Sequence, residues 1–416
     1  MVPGPAREVV AFGALAALAI ATAGQAVAFA VLLFGGPGSV GGSPAIGWLY
    51  TCTFLHAPLT LTSAPVAPAE PLSGGVAFAL LTGTAFAVVA CVIAGRATAR
   101  AVPSGIAAPI AAGGAVGIVV TAIVVAVSAL VAVTVALPAN PLLGDVTVRA
   151  SLPGTLGWTA VITCSSGAWG GVLAVRERLA ATPRGSRSLA VLEGGLHMFV
   201  WSLVLGIVAV ALLAATRPDA SAAYVRRVGS SGVGPAAAAL GHHLLALPNQ
   251  SVWLLVPAMG GCDTIEAGEA TIDVLCPGRV PRSITLDLVT PTTGSAPEIV
   301  RAPWEFSLFL GIPAIACVMG GLHAARRSGV RGAKARVRIG ALAAIPWTVL
   351  VAIAAEAASL YVTGDLLAGG GSVRYGPPVL PAALLALLWG VGAGALGGAL
   401  GPLVVRRITP GRAEQV

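Results

Sequence analysis

The sequence predicts an all-α polytopic membrane protein, on three observations. Apolar residues make up 56% of its 416 positions and charged ones 10%, against about 25% charged in an ordinary soluble domain. Single soluble cores stop growing at about 250–300 residues, so in water that much apolar surface could not be buried. Apolar runs of about 20 residues, the length that crosses a bilayer as a helix, recur along the whole chain. The same composition excludes a disordered chain, and the 54 glycines show no three-residue period of the collagen kind.

In chain order the runs lie at 9–34, 75–95, 106–137, 155–175, 190–215, 304–325, 339–363 and 379–405. The first exceeds the apolar core of a removable signal and reads as an uncleaved span. Two stretches fall short of spanning. Residues 46–61 are too few and contain Pro58. Residues 235–260 are long enough, but Pro248-Asn249 divides them into two arms, and proline interrupts the helical ladder there.

Charge chooses between eight spans and nine. Eight spans with an inner N-terminus place 16 of the 24 basic residues inside, from Arg7 through the turns at 96–100, 176–187 and 326–338 to Arg406, Arg407 and Arg412. A ninth span at 235–260 would invert the rest and put most of them outside, against the Lys/Arg bias of cytoplasmic loops. The prediction is therefore eight spans with both termini cytoplasmic. Residues 235–260 become a re-entrant or interfacial helical hairpin on the outer face. A single lysine among the 24 basic residues, with abundant Ala, Gly and Val, suggests GC-rich coding and hence a bacterial plasma membrane. The basic residues sit in short turns and against lipid headgroups, which argues against nucleic acid as a partner.

The chain divides into two halves of four spans, 1–189 and 190–416, with an extracytoplasmic segment at 216–303. Each half has a span, an outer excursion containing His, Trp and Pro, a span, an arginine-bearing inner turn, and two more spans around a short outer loop. This is the pattern of a parallel repeat. Cys262 and Cys276 lie in the exported segment, where the oxidising compartment makes them a disulfide candidate. Alternating apolar residues at 284, 286 and 288, with the Thr271–Leu275 stretch, predict a small β-hairpin pinned by that bridge.

Helices in lipid associate through close packing. Gly390, Gly394 and Gly398 form a row along one face of the last span, suited to a helix contact inside the bundle or between copies of the chain. The pairs Gly113/Gly117 and Gly167/Gly171 are expected by chance among so many glycines.

Ionisable groups within spans are functional candidates by default. Glu356 lies in the seventh span and is the leading ion or proton site. Glu193 and His197, four apart, share a helical face. A carboxylate there could orient the imidazole, although a metal would need a further ligand that the sequence does not name. His242, His243 and Asn249 belong to the broken segment, where exposed backbone could line a cavity. No zinc-type spacing, nucleophile elbow, Walker sequence or dinucleotide fingerprint occurs. No catalytic residue, metal or cofactor is therefore assigned, and an enzyme is not expected.

The segment Leu244 to Trp253, with Pro248-Asn249 before the Trp and Met259-Gly-Gly261 after it, resembles actinobacterial multi-pass membrane proteins of the PerM-like cell-division family. Trp48-Leu49, His56, Pro58-Leu59 and Ala94-Gly-Arg96 with Arg100 are similar to the first half of that family. The Cys262–Cys276 loop departs from it, so a neighbouring uncharacterised group fits too. The resemblance implies an envelope or cell-division scaffold acting through contacts with membrane proteins. The competing expectation is a secondary transporter with its site near residues 235–260 and Glu356.

Overall fold

A computed structural model describes residues 4–35, 44–63, 72–102, 105–135, 145–216, 241, 244–268, 270–281, 299–301, 304–364 and 371–408. The chain runs through the same order of elements twice. The first run is α1 (Gly4–Gly35), α2 (Pro44–Phe54), β1 (Leu59–Ser63), β2 (Ser73–Ala77), α3 (Leu81–Arg100), α4 (Ala107–Leu130), β3 (Val133–Val135), β4 (Val146–Ala150) and α5 (Leu152–Ala174), with α6 (Arg176–Ala180) as the connector. The second is α7 (Pro183–Thr216), α8 (Leu247–Ala258), β5 (Asp263–Ala267), β6 (Ala270–Leu275), α9 (Gly311–Arg327), α10 (Ala333–Leu342) continued by α11 (Ala344–Ala358), β9 (Leu360–Gly364), β10 (Ser372–Gly376) and α12 (Val379–Ile408). Between β6 and α9 it adds the antiparallel pair β7 (Arg279–Pro281) and β8 (Ile299–Arg301), then a 3-10 turn, Trp304–Leu310. The second run begins at Pro183, so the expected boundary between 189 and 190 falls inside α7.

Among the described residues seven segments are long and apolar enough to cross a membrane: α1, α3, α4, α7, α9, α10–α11 and α12. The protein is a multi-pass membrane protein of helical architecture. Helix α5 has the length, but ten of its 23 residues are Gly, Ser or Thr. Those small residues let neighbouring helices approach closely. Gly113 and Gly117 of α4 lie against the α5 backbone at Gly167, Gly171 and Cys164, and Gly170 of α5 lies against Val92 and Arg96 of α3. The pairs attributed to chance thus face each other across one contact. Thr163 completes it, sharing a hydrogen bond with Thr121 at 3.1 Å.

The excursions at one end of the bundle form a single eight-stranded antiparallel sheet, ordered β3-β4-β1-β2-β9-β10-β5-β6. Each half contributes four strands in the same internal order. The halves join where β2 pairs with β9, Gly74 opposite Gly364 and Val76 opposite Val362. A small β-hairpin was expected; the sheet is far larger. Three of its strands, β2, β3 and β9, overlap the ends of apolar runs that read as spans (75–95, 106–137 and 339–363). Hydropathy alone cannot tell a strand covering the bundle from the last turn of a helix. Thr271–Leu275 does form a strand, within β6, but its partner is β5. The expected partner around 284–288 lies outside the described residues.

Of the 235–260 segment, residues 235–240, 242 and 243 lie outside the described residues. Helical residues 244 and 245 are followed by a turn at Ala246 and then by a 12-residue helix, α8, with Pro248 in its first turn. The helical ladder is thus interrupted at Ala246, and Pro248 restarts it where the missing N–H costs nothing. Each half has its own core, one around Ile20, Trp48, Val116 and Val120, the other around Met198, Leu255, Trp347 and Val351.

Candidate functional site

Two polar clusters lie at opposite ends of the second half. At the sheet end Arg374 is the hub. Strand register sets Arg374 of β10 directly opposite Tyr361 of β9 and Glu266 of β5, so the three side chains share a sheet face. Arg374 donates Nε to Tyr361 Oη at 2.7 Å, Nη1 to Glu266 Oε1 at 3.3 Å, and Nη2 to Ser359 Oγ at 3.1 Å and Pro377 O at 2.8 Å. Tyr361 in turn donates to the Glu356 carboxylate at 3.0 and 3.1 Å, and Nη2 of Arg374 lies 3.8 Å from Glu356 Oε2. Nearby, the Asp263 carboxyl is fully buried, and neither of its oxygens has a hydrogen-bond partner. Burial pushes its pKa well above the usual carboxylate range, with Arg374 opposing.

Glu356 therefore stands at the end of its span. Helix α11 ends at Ala358, which leaves Glu356 in its last turn, engaged by strand residues. The corresponding register in the first half holds only threonines: Thr147 of β4 stands opposite Thr62 of β1 and Thr134 of β3. The charged trio is a specialisation of the second half.

At the other end, Glu193 of α7 receives Arg176 Nη2 at 2.7 Å and Arg327 Nε at 3.4 Å, with His323 Nε2 at 3.6 Å. His197 returns its Nδ1 to the Glu193 carbonyl at 2.8 Å and stacks on His323 at 3.7 Å. Glu193 and His197 do share a helical face, and His323 of α9 is the third group from another helix. The arrangement is an ion-pair knot, because two guanidiniums take the carboxylate and the imidazoles stack on each other. Among the described residues the one set of ligand atoms close enough for a metal is Cys262, Asp273 and Cys276. Its two sulfurs are joined in a disulfide that closes the base of the β5–β6 hairpin.

Asn249 is a clamp between the halves. It donates Nδ2 to Ala79 O at 2.6 Å and accepts from Leu81 N at 3.0 Å, capping the start of α3 from across the molecule. Trp253, the aromatic of the same helix, donates to Ala358 O at 3.0 Å and meets Tyr375 edge-on. His242 and His243 lie outside the described residues. The Gly390, Gly394 and Gly398 row faces Ala344, Gly340 and Arg336 within the chain, so intrachain packing occupies it and leaves no self-association face there.

Sequence reasoning missed Arg374, Tyr361, Glu266, Asp263, Arg176, His323 and Arg327. Arg374 carried a signal: it is a basic residue on the outer side of the predicted topology, where the bias disfavours one. No family model, curated protein or solved structure matches the chain.

Proposed function

We propose that the protein is a non-enzymatic scaffold of the bacterial plasma membrane, with eight spans including α5, cytoplasmic termini and an outward-facing sheet that contacts envelope proteins. The observation that carries this reading is the sheet, continuous across both halves. A transporter that rocks one half against the other would have to break the β2–β9 ladder, the Ala79 N to Ala357 O bond at 3.0 Å and both Asn249 bonds. Each is worth about 1 kcal/mol net, and they lie together. The charge distribution supports the orientation, since Arg96, Arg100, Arg176 and Arg327 gather around one cavity of about 550 Å³ at the end formed by the helix turns. The resemblance noted above makes cell-division proteins the first partners to seek.

A locked variant tests the reading. Val76→Cys with Val362→Cys places a disulfide across the joint between the halves. A scaffold so locked should still restore the envelope phenotype of a deletion strain and still cross-link to its partners from the outer sheet. Loss of complementation only when the bridge is oxidised would favour moving halves and hence a transporter.

A further inference from the structure

Below the sheet the halves separate. Helices α3 and α5 of the first half and α7 and α10–α11 of the second enclose a groove of about 2310 Å³. Its walls are apolar side chains such as Val88, Val161, Leu196, Val349 and Ile353. Ser165 and Ser166 on the α5 wall do not change this, because they return their hydroxyls to Val161 O and Ile162 O of their own helix at 2.6 Å. Leu81, Pro248 and Ala357 line it at the sheet end, and Arg187, Arg331, Lys334 and Arg338 at the other. All four cations are exposed, no carboxylate lines the groove, and none of the four makes an ion pair among the described residues.

We propose that this groove is a binding site for one anionic phospholipid of the cytoplasmic leaflet. Its phosphate would sit among Arg187, Arg331, Lys334 and Arg338, and its acyl chains would lie between α5 and α11. Two features select this occupant. From Arg338 to Ala357 the α10–α11 wall rises about 28 Å at 1.5 Å per residue, against a hydrocarbon core of about 30 Å, so the groove holds chains along their length. The cationic groups lie only at the end where the positive-inside rule puts the cytoplasm, so a headgroup entering from that leaflet meets uncompensated positive charge. A partner helix would instead be marked by a row of small residues that lets backbones approach, whereas these walls are mostly branched Val, Leu and Ile side chains.

Native mass spectrometry of the full chain released from nanodiscs of equal phosphatidylglycerol and phosphatidylcholine tests this. The wild type should retain one phosphatidylglycerol per chain, in excess over the bulk ratio. Each of Arg187→Gln, Arg331→Gln, Lys334→Gln and Arg338→Gln should lower that excess about fivefold, since a basic residue near an anionic surface is worth about 1 kcal/mol. Val349→Trp, which plugs the groove in part, should lower retention of both lipids. Leu388→Trp, exposed on α12 away from the groove, should leave it unchanged. Retained lipid that mirrors the bulk mixture, or that survives the charge variants, would overturn the proposal. The charge variants change only exposed side chains, so they test the site even where the plugged variant fails to fold.

Discussion

His56 and Gly260 are counterparts in the two halves. Each follows the short sheet-end helix of its half and takes positive φ, 54° and 98°, and each lies in the same pair of reverse bonds. Ala57 N reaches Cys52 O and His56 N reaches Thr53 O, while Gly261 N reaches Val256 O and Gly260 N reaches Pro257 O. Glycine takes that conformation freely, whereas histidine does so at a cost. His56 is held there by burial and by the edge of its ring against Trp158 at 4.4 Å.

Burial pushes the His56 imidazole down to about 4. The folded state therefore keeps it neutral while an unfolded chain protonates it near its ordinary 6.5. Its contribution is present above that value and lost as pH falls from about 6.5 to about 4, at most about 3 kcal/mol. Thermal unfolding in detergent should show that loss in the wild type, and His56→Gln should flatten it. An unchanged pH slope in the variant would mean that another group titrates.

Asp263 acts in the opposite direction. Its raised pKa makes the fold hold the proton to higher pH than an unfolded chain, which releases it from about 3.9 upward. The folded state is thus penalised increasingly as pH rises from there toward the raised native value. Asp263→Asn should raise the melting temperature at neutral pH and leave it unchanged below pH 4.

Removing the hub should cost far more than removing one spoke. Arg374→Met strips hydrogen bonds from Tyr361, Ser359 and Pro377 O, for about 2–3 kcal/mol. Glu266→Gln, with a side chain 40% exposed, should cost under about 1 kcal/mol. A double-mutant cycle read by denaturant unfolding should give a coupling no larger than the Glu266 single loss.

Asn249→Ala leaves Leu81 N–H and Ala79 C=O without their partner, at about 1–3 kcal/mol. The sharper readout is local. Hydrogen exchange should accelerate in the first turn of α3, whose start Asn249 caps, while α12 stays protected.

The glycine row gives a matched pair. A Cβ at Gly394 would lie 2.6 Å from Gly340 O and 2.9 Å from Met198 Cε, whereas one at Gly392 meets nothing within 4 Å. Gly394→Val should therefore destabilise by about 1–3 kcal/mol, and Gly392→Val should be close to neutral. The melting temperatures of the two variants decide it.

The helical membrane architecture was legible because each span declares itself locally, by length and hydropathy. The sheet was not, because its strands are three to six residues long and pair with residues up to a few hundred positions away. Arg374 finds Glu266 only through the β10–β5 register, and nothing near either residue marks the other. Asn249 reads in the sequence as a candidate binding residue of the broken segment, yet its polar side chain serves the start of α3, a partner 168 residues earlier. Glu356 was placed too deep because β9 extends the apolar run beyond the true helix end.

The strand order has a consequence for symmetry. Two halves related by a two-fold in the sheet would meet through like edges and present like edges outward. Here the second strand of one half meets the third of the other, β2 against β9, so the joint is heterologous. The terminal strands, β3 and β6, are accordingly unlike, and each pairs with only one neighbour among the described residues. The same joint applied once more would set β3 of another copy against β6. The sheet thus has direction as well as order, with one edge the complement of the other.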